Sequence, residues 1–282
     1  MDKVPFWDID YVRHFKTRYL DNRNIFFPDK NILIFNIPKV GGTTLRKIAC
    51  EQMNIRDIKN LPTIQNYNLH NLSGITKIAF VRNPWDRLVS LYEEATQNNR
   101  SDFFSRNKLR SSSFEKFIED ICNTPDYNAD IHFRSQYTFI SAPNGQFLID
   151  QLYRFENFTR VLHDIFDSKK DIPILNKSER LSYHEYYSQD LKERVSKRFA
   201  TDIYLFGFNF TDKNIAIEDA PWSQDLPSEI LIEMLQYKSM ILYREYGKMA
   251  KKIDNYDFSL SKLIKIKLQR IFKSNTKSGN PH

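Results

Sequence analysis

A chain of 282 residues with 41% hydrophobic and 27% charged side chains holds enough apolar material for a large folded core, which excludes a wholly disordered protein. Its only cysteines, Cys50 and Cys122, exclude a disulfide framework and, by themselves, a structural zinc site, and they fit a reducing compartment. The net charge of +7 suits a phosphate-bearing or polyanionic partner, although a mild basic excess is also common in proteins that bind nothing anionic.

The first twenty residues carry Asp, Lys, Arg and His throughout, so no signal peptide is expected. No apolar run approaches the roughly 18 residues that cross a bilayer, and a cytoplasmic protein is expected. A polar and aromatic leader over 1–30 precedes a buried strand at about 31–37. The strand runs into Pro38-Lys-Val-Gly-Gly-Thr-Thr44 and then a helix reaching about Met53, with Leu45, Ile48 and Ala49 toward the sheet.

Strand, glycine turn and helix in that order build a cradle for a phosphate group. The loop nearly matches a nucleotide-binding P-loop but fails where a Walker A motif needs lysine directly before the Ser/Thr that holds magnesium. Here Gly42 precedes Thr43 and the lysine stands earlier, at Lys39. Amides around Gly41, Gly42, Thr43 and Thr44 are expected to converge on one phosphate, with Lys39 near the bridging oxygen. The bland reading is a tight turn with Lys39 in solvent.

A second apolar strand, Lys77 to Val81, ends in Arg82-Asn-Pro-Trp-Asp-Arg-Leu-Val-Ser90, where Pro84 opens a helix through about Thr96. Arg82 and Ser90 are placed to flank a second phosphate, and Trp85 and Asp86 to position the turn. Arg87 reads equally as a ligand contact or as a surface partner of Asp86. Residues 97–113 read as a mobile loop or short helical insert. A helix follows at about 113–122, a polar and aromatic cluster at 131–140, and a strand from Gln146 to Asp150 after the Asn144-Gly145 turn. Residues 155–168 and 187–201 read as helices. Two strand-to-helix units in series predict an α/β fold whose ligand sits at the carboxyl ends of the strands.

Together, the runs at 38–44 and 81–90 resemble the two signatures of sulfotransferases that use 3′-phosphoadenosine 5′-phosphosulfate. Within that group the resemblance is greatest to carbohydrate sulfotransferases of the heparan 2-O- and chondroitin type and their bacterial relatives. Asp130-Ile-His-Phe-Arg-Ser-Gln136, Tyr153-Arg-Phe-Glu-Asn-Phe158, Leu175-Asn-Lys-Ser178, then Tyr183, Tyr187 and Phe206-Gly-Phe-Asn-Phe210 follow in the family's order.

The resemblance implies a P-loop-like three-layer sandwich over 1–210, a mostly parallel central sheet flanked by helices. It places Lys39, Val40, Gly41, Gly42, Thr43 and Thr44 at the 5′ end of the donor, and Arg82 and Ser90 at its 3′-phosphate. Lys177 and Ser178 would close over the nucleotide, or stand in a solvent loop. The activity implied is in-line sulfuryl transfer to a carbohydrate or glycolipid hydroxyl, assisted by Lys39, with adenosine 3′,5′-bisphosphate as product and no metal. The acceptor's proton needs a base, for which His70 ranks first, His132 second, and Glu93 or Glu94 after them. A fold retained for nucleotide or glycan binding without turnover is the alternative.

Residues 211–282 read as a helical C-terminal extension opening near Pro227 and Ser228. Over 258–277 six basic residues and no acidic one oppose a stripe containing Leu260, Leu263, Ile264, Leu268 and Ile271. Such a helix suits the inner face of an anionic membrane near a lipid-linked glycan, or docking on the domain or on a second copy in a homo-oligomer. Nucleic-acid binding is not expected, since no recognised module accompanies the charge. Tyr67, Tyr92, Phe103 and Tyr137 are the aromatics considered for sugar stacking.

Overall fold

The computed structural model describes residues 24–61, 74–141, 145, 147–166, 181–211, 227–236 and 239–240. Its centre is a four-stranded sheet in the order β1 (Ile25–Phe27), β2 (Ile32–Phe35), β3 (Thr76–Val81) and β4 (Gln151–Arg154). β2, β3 and β4 are parallel and β1 is antiparallel to β2, so the sheet is mixed.

β1 lies inside the stretch read above as a leader. Its three residues are all buried, and an apolar triplet too short to show a period gave little sign of it. Residues 28–31 turn the chain into β2, with Asn31 left-handed at φ 51° and its amide donating to the Pro28 carbonyl. In β2 and β3, Leu33, Ile34, Ile78, Ala79, Phe80 and Val81 are almost completely buried, as expected for inner parallel strands.

The helices flank this sheet. They are α1 (Gly42–Gln52), α2 (Pro84–Gln97), α3 (Ser101–Asn107), α4 (Phe114–Cys122), α5 (Tyr137–Ile140), α6 (Phe158–Phe166), α7 (Gln189–Arg198) and α8 (Ala200–Phe206), with α9 over 228–236. α2 starts where expected, because Pro84 fills the first helical position and the Asn83 side chain accepts from the Trp85 amide. Ser113 caps α4 in the same way through the Lys116 amide. α3 is the short helical insert, and it buries Phe103 and Phe104.

The strand expected over Gln146 to Asp150 stands later, at Gln151–Arg154. Leu148 and Ile149 are buried without joining the sheet, and Phe147 makes one antiparallel bridge to Ser141. Asp150 instead docks on the start of β3: its amide donates to the Lys77 carbonyl and its Oδ2 accepts from the Lys77 amide, each at 2.8 Å. The apolar run carried a strand-like composition, while the pairing that makes a strand began only after this anchor.

The chain divides into compact units Met1–Tyr237 and Lys238–His282. In the first, α9 buries Met234, and a methyl of Leu231 lies 2.8 Å from where a Cβ on Gly145 would stand. Of the second, only Ser239 and Met240 are described, so the basic stripe at 258–277 lies outside the described residues. Among the described residues no helix is long and apolar enough to cross a membrane.

Candidate active site

β2 ends at Phe35 and the chain turns sharply into α1. Lys39 at φ 69° and Gly41 at φ 73° are both left-handed, and Gly41 stands at the N-cap of α1 without a side-chain cap. A Cβ on Gly41 would come within 2.5 Å of the Phe158 ring, and one on Gly42 within 2.6 Å of Asn36 Oδ1. That Asn36 oxygen is buried and has no hydrogen-bond partner. Val40 is buried beneath the loop, Thr43 is exposed and Thr44 buried. The 11-residue helix begins with no acidic residue in its first turn, leaving its positive end for an anion. Side chains excluded on both glycines, together with that helix start, fit a phosphate-bearing group.

The two signature runs meet here. Arg82, at the end of β3, donates from one terminal nitrogen to the Lys39 carbonyl at 3.1 Å and from Nε to Asp86 Oδ2 at 2.7 Å. Its guanidinium lies 4.7 Å above the Phe155 ring centroid. Lys39 does not point freely into solvent: its side chain is 14% exposed and its Nζ contacts Glu94 Oε2 at 2.7 Å. Arg100 approaches the other oxygen of Glu94 at 3.3 Å.

Asp86, Ser90 and Glu94 recur every four residues and so share one stripe of α2. The stripe's two ends hold Arg82 and Lys39, which places Ser90 between the two ion pairs. Burial lowers the Lys39 pKa, against the raising influence of Glu94. For Glu94, burial alone would raise the pKa, but Lys39 and then Arg100 outweigh it and hold the group below its ordinary value.

Arg87 is neither a partner of Asp86 nor a surface residue. At 1% exposure it donates to three carbonyls: Pro38 at 3.1 Å, Arg134 at 2.7 Å and Ile131 at 3.5 Å. One guanidinium thus clamps the phosphate loop to the segment holding His132. Burial lowers its pKa to about 10, which still leaves it cationic at neutral pH.

Gln136 is a second clamp, which residue-by-residue reading missed. Its side-chain oxygen accepts from the Arg82 amide and its nitrogen donates to the Arg82 carbonyl, at 2.9 and 2.8 Å. Its own amide and that of Tyr137 donate to the two oxygens of buried Asp202. The glutamine lay inside the matched 130–136 segment, but only its partner across the fold reveals the role.

Burial raises the Asp202 pKa to about 6, despite the two amides and the charge of Arg87 that favour the carboxylate. A folded-state value above the ordinary 3.8 means that this group's stabilising contribution is complete below about pH 4 and is lost as pH rises through about 6. Thermal midpoints across pH 4 to 7 should show that decline, and Asp202→Asn should remove this component of the slope.

His132 Nδ1 lies 2.5 Å from Asp130 Oδ1, a contact in which the ring Nδ1–H donates to the carboxylate. The imidazole meets the Phe103 ring edge-on at 5.8 Å, and Arg100 covers the same ring. Lys39, Glu94, Arg100, Phe103 and His132 therefore form a connected group. Phe103 and Tyr137 are core residues rather than a free sugar platform, and Tyr92 packs on Phe114 and Phe117. His70, Lys177, Ser178 and Tyr67 lie outside the described residues. Among the described residues no group of three or more His, Cys, Asp or Glu could hold a metal ion.

The glycine turn after β2 and the Arg82 turn after β3 lie together at the carboxyl ends of two adjacent parallel strands, where ligands of α/β sheets bind. The family model described as the sulfotransferase family matches residues 22–209, and the chain belongs to that family. Membership supports sulfotransfer as its general activity. No curated protein and no solved structure matches the chain.

Proposed function

We propose that the protein transfers a sulfuryl group from 3′-phosphoadenosine 5′-phosphosulfate to a hydroxyl of a carbohydrate or glycolipid, on a P-loop-like three-layer scaffold of the heparan 2-O- and chondroitin type. The observation that carries this reading is the bond from Arg82 to the Lys39 carbonyl, which sets the two signature runs side by side. The donor supplies an activated sulfuryl group on a phosphate leaving group. The glycine cradle and Lys39 would hold its 5′ end, and Arg82 and Ser90 its 3′-phosphate.

Lys39 neutralises charge growing on the leaving oxygen, a task that needs no metal. A histidine takes the acceptor's proton. Of the two candidates, His132 has the Asp130 contact that fixes its tautomer, while His70 retains its rank from its place between the donor motifs. The reading extends to a cytoplasmic enzyme that docks through 258–277 on the inner membrane face, close to a lipid-linked glycan. Calorimetry with adenosine 3′,5′-bisphosphate should show saturable binding, and ATP with magnesium none. Binding of ATP–magnesium alone overturns the assignment. Bisphosphate binding without transfer of labelled sulfate to any glycan supports the non-catalytic alternative.

A further inference from the structure

Glu94 is shared between two cations from different parts of the chain. Lys39 holds Oε2 at 2.7 Å from 55 residues away, and Arg100 holds Oε1 at 3.3 Å from the segment after α2. Lys39 is the lysine of the phosphate cradle, so the group an incoming anion needs is already engaged by an internal anion. Resting on the donor reading above, we propose that Glu94 is a latch: it holds Lys39 in the donor-free protein and passes to Arg100 alone when Lys39 turns to the donor's 5′ end.

Three features favour an exchange over a permanent strut. The Glu94 side chain is 32% exposed, so water can solvate it during the hand-over. Its two oxygens are held separately, so losing Lys39 still leaves Arg100 on Oε1 and avoids an unpaired, half-buried carboxylate. Lys39 can move its ammonium on a flexible stem while its carbonyl stays fixed by Arg82. Glu94 is thus a positioning residue that acts through Lys39, and Arg100 sets how readily it lets go.

Ligand affinity falls in proportion to the fraction of molecules in the competent state, so a latch closed in nine molecules of ten weakens binding about tenfold. Calorimetric titration with adenosine 3′,5′-bisphosphate reads this directly, without an acceptor. Glu94→Gln should tighten binding about 5- to 10-fold, since the neutral amide holds an ammonium weakly. Arg100→Gln should do the reverse, weakening it about 3- to 10-fold, because Lys39 then leaves a carboxylate with no other cation.

The double variant should match Glu94→Gln alone, the signature of one residue acting through the other. A merely structural Glu94 would instead weaken binding in every variant. Wild-type binding that Glu94→Gln leaves unchanged or weaker overturns the latch alone. No binding by wild type or variants overturns the donor reading and the latch with it. Should Glu94→Gln fail to fold, equal affinities of Arg100→Gln and wild type overturn the latch.

Discussion

Arg87→Met is expected to destabilise the fold by about 3–5 kcal/mol, the range for removing one partner from a buried charged network. Methionine fills much of the arginine's volume, so the loss is electrostatic rather than a cavity. The carbonyls of Pro38, Ile131 and Arg134 would each lose a donor, and buried Asp202 would lose a nearby cation. For a domain of this size that corresponds to roughly 6–20 °C in thermal midpoint, measurable by calorimetry or circular dichroism. Arg87→Lys should fall between, because an ammonium keeps the charge but cannot span three carbonyls as a planar fork does. A midpoint within about 2 °C of wild type for Arg87→Met would remove the clamp from the account of the loop.

Lys39→Met is expected to leave the fold nearly intact and to disable the site. The ion pair it breaks is partly exposed and Arg100 remains on Glu94, so the stability change should stay within about 1 kcal/mol. Under the proposed donor chemistry, loss of this cation should lower turnover about 10²- to 10³-fold, the usual scale for one preorganised electrostatic contact. Labelled-sulfate transfer to a glycan that the wild-type protein sulfates measures this, with melting as the control. Unchanged turnover would separate Lys39 from the chemistry.

The glycine turn and the helix start after β2 could be read in advance because their requirements are local. Left-handed backbone, close approach and a helix start demand glycine within a few consecutive residues, and Pro84 marks the next helix for an equally local reason. What lay hidden was long-range. Lys39 meets Glu94 and Gln136 meets Arg82 across more than fifty residues, and no spacing rule predicts such pairs. The stripe Asp86, Ser90, Glu94 was present in the four-residue spacing along α2, yet its meaning depended on which cations the fold would bring to it. Arg87 carried a charge, and charge usually signals the surface. The three carbonyls it donates to are what make it a core residue. β1 and β4 were missed or displaced because short apolar runs look alike until pairing selects among them.

The two glycines of the cradle should drift differently over evolution. Gly41 is constrained twice, by its left-handed backbone and by the Phe158 ring, so a smaller residue at 158 would open space without freeing position 41. Gly42 lies in helical backbone and is crowded by the Asn36 amide. A smaller residue at 36 would admit alanine at 42. Among homologues, positions 36 and 42 are therefore expected to change together, whereas 41 stays glycine whatever happens at 158.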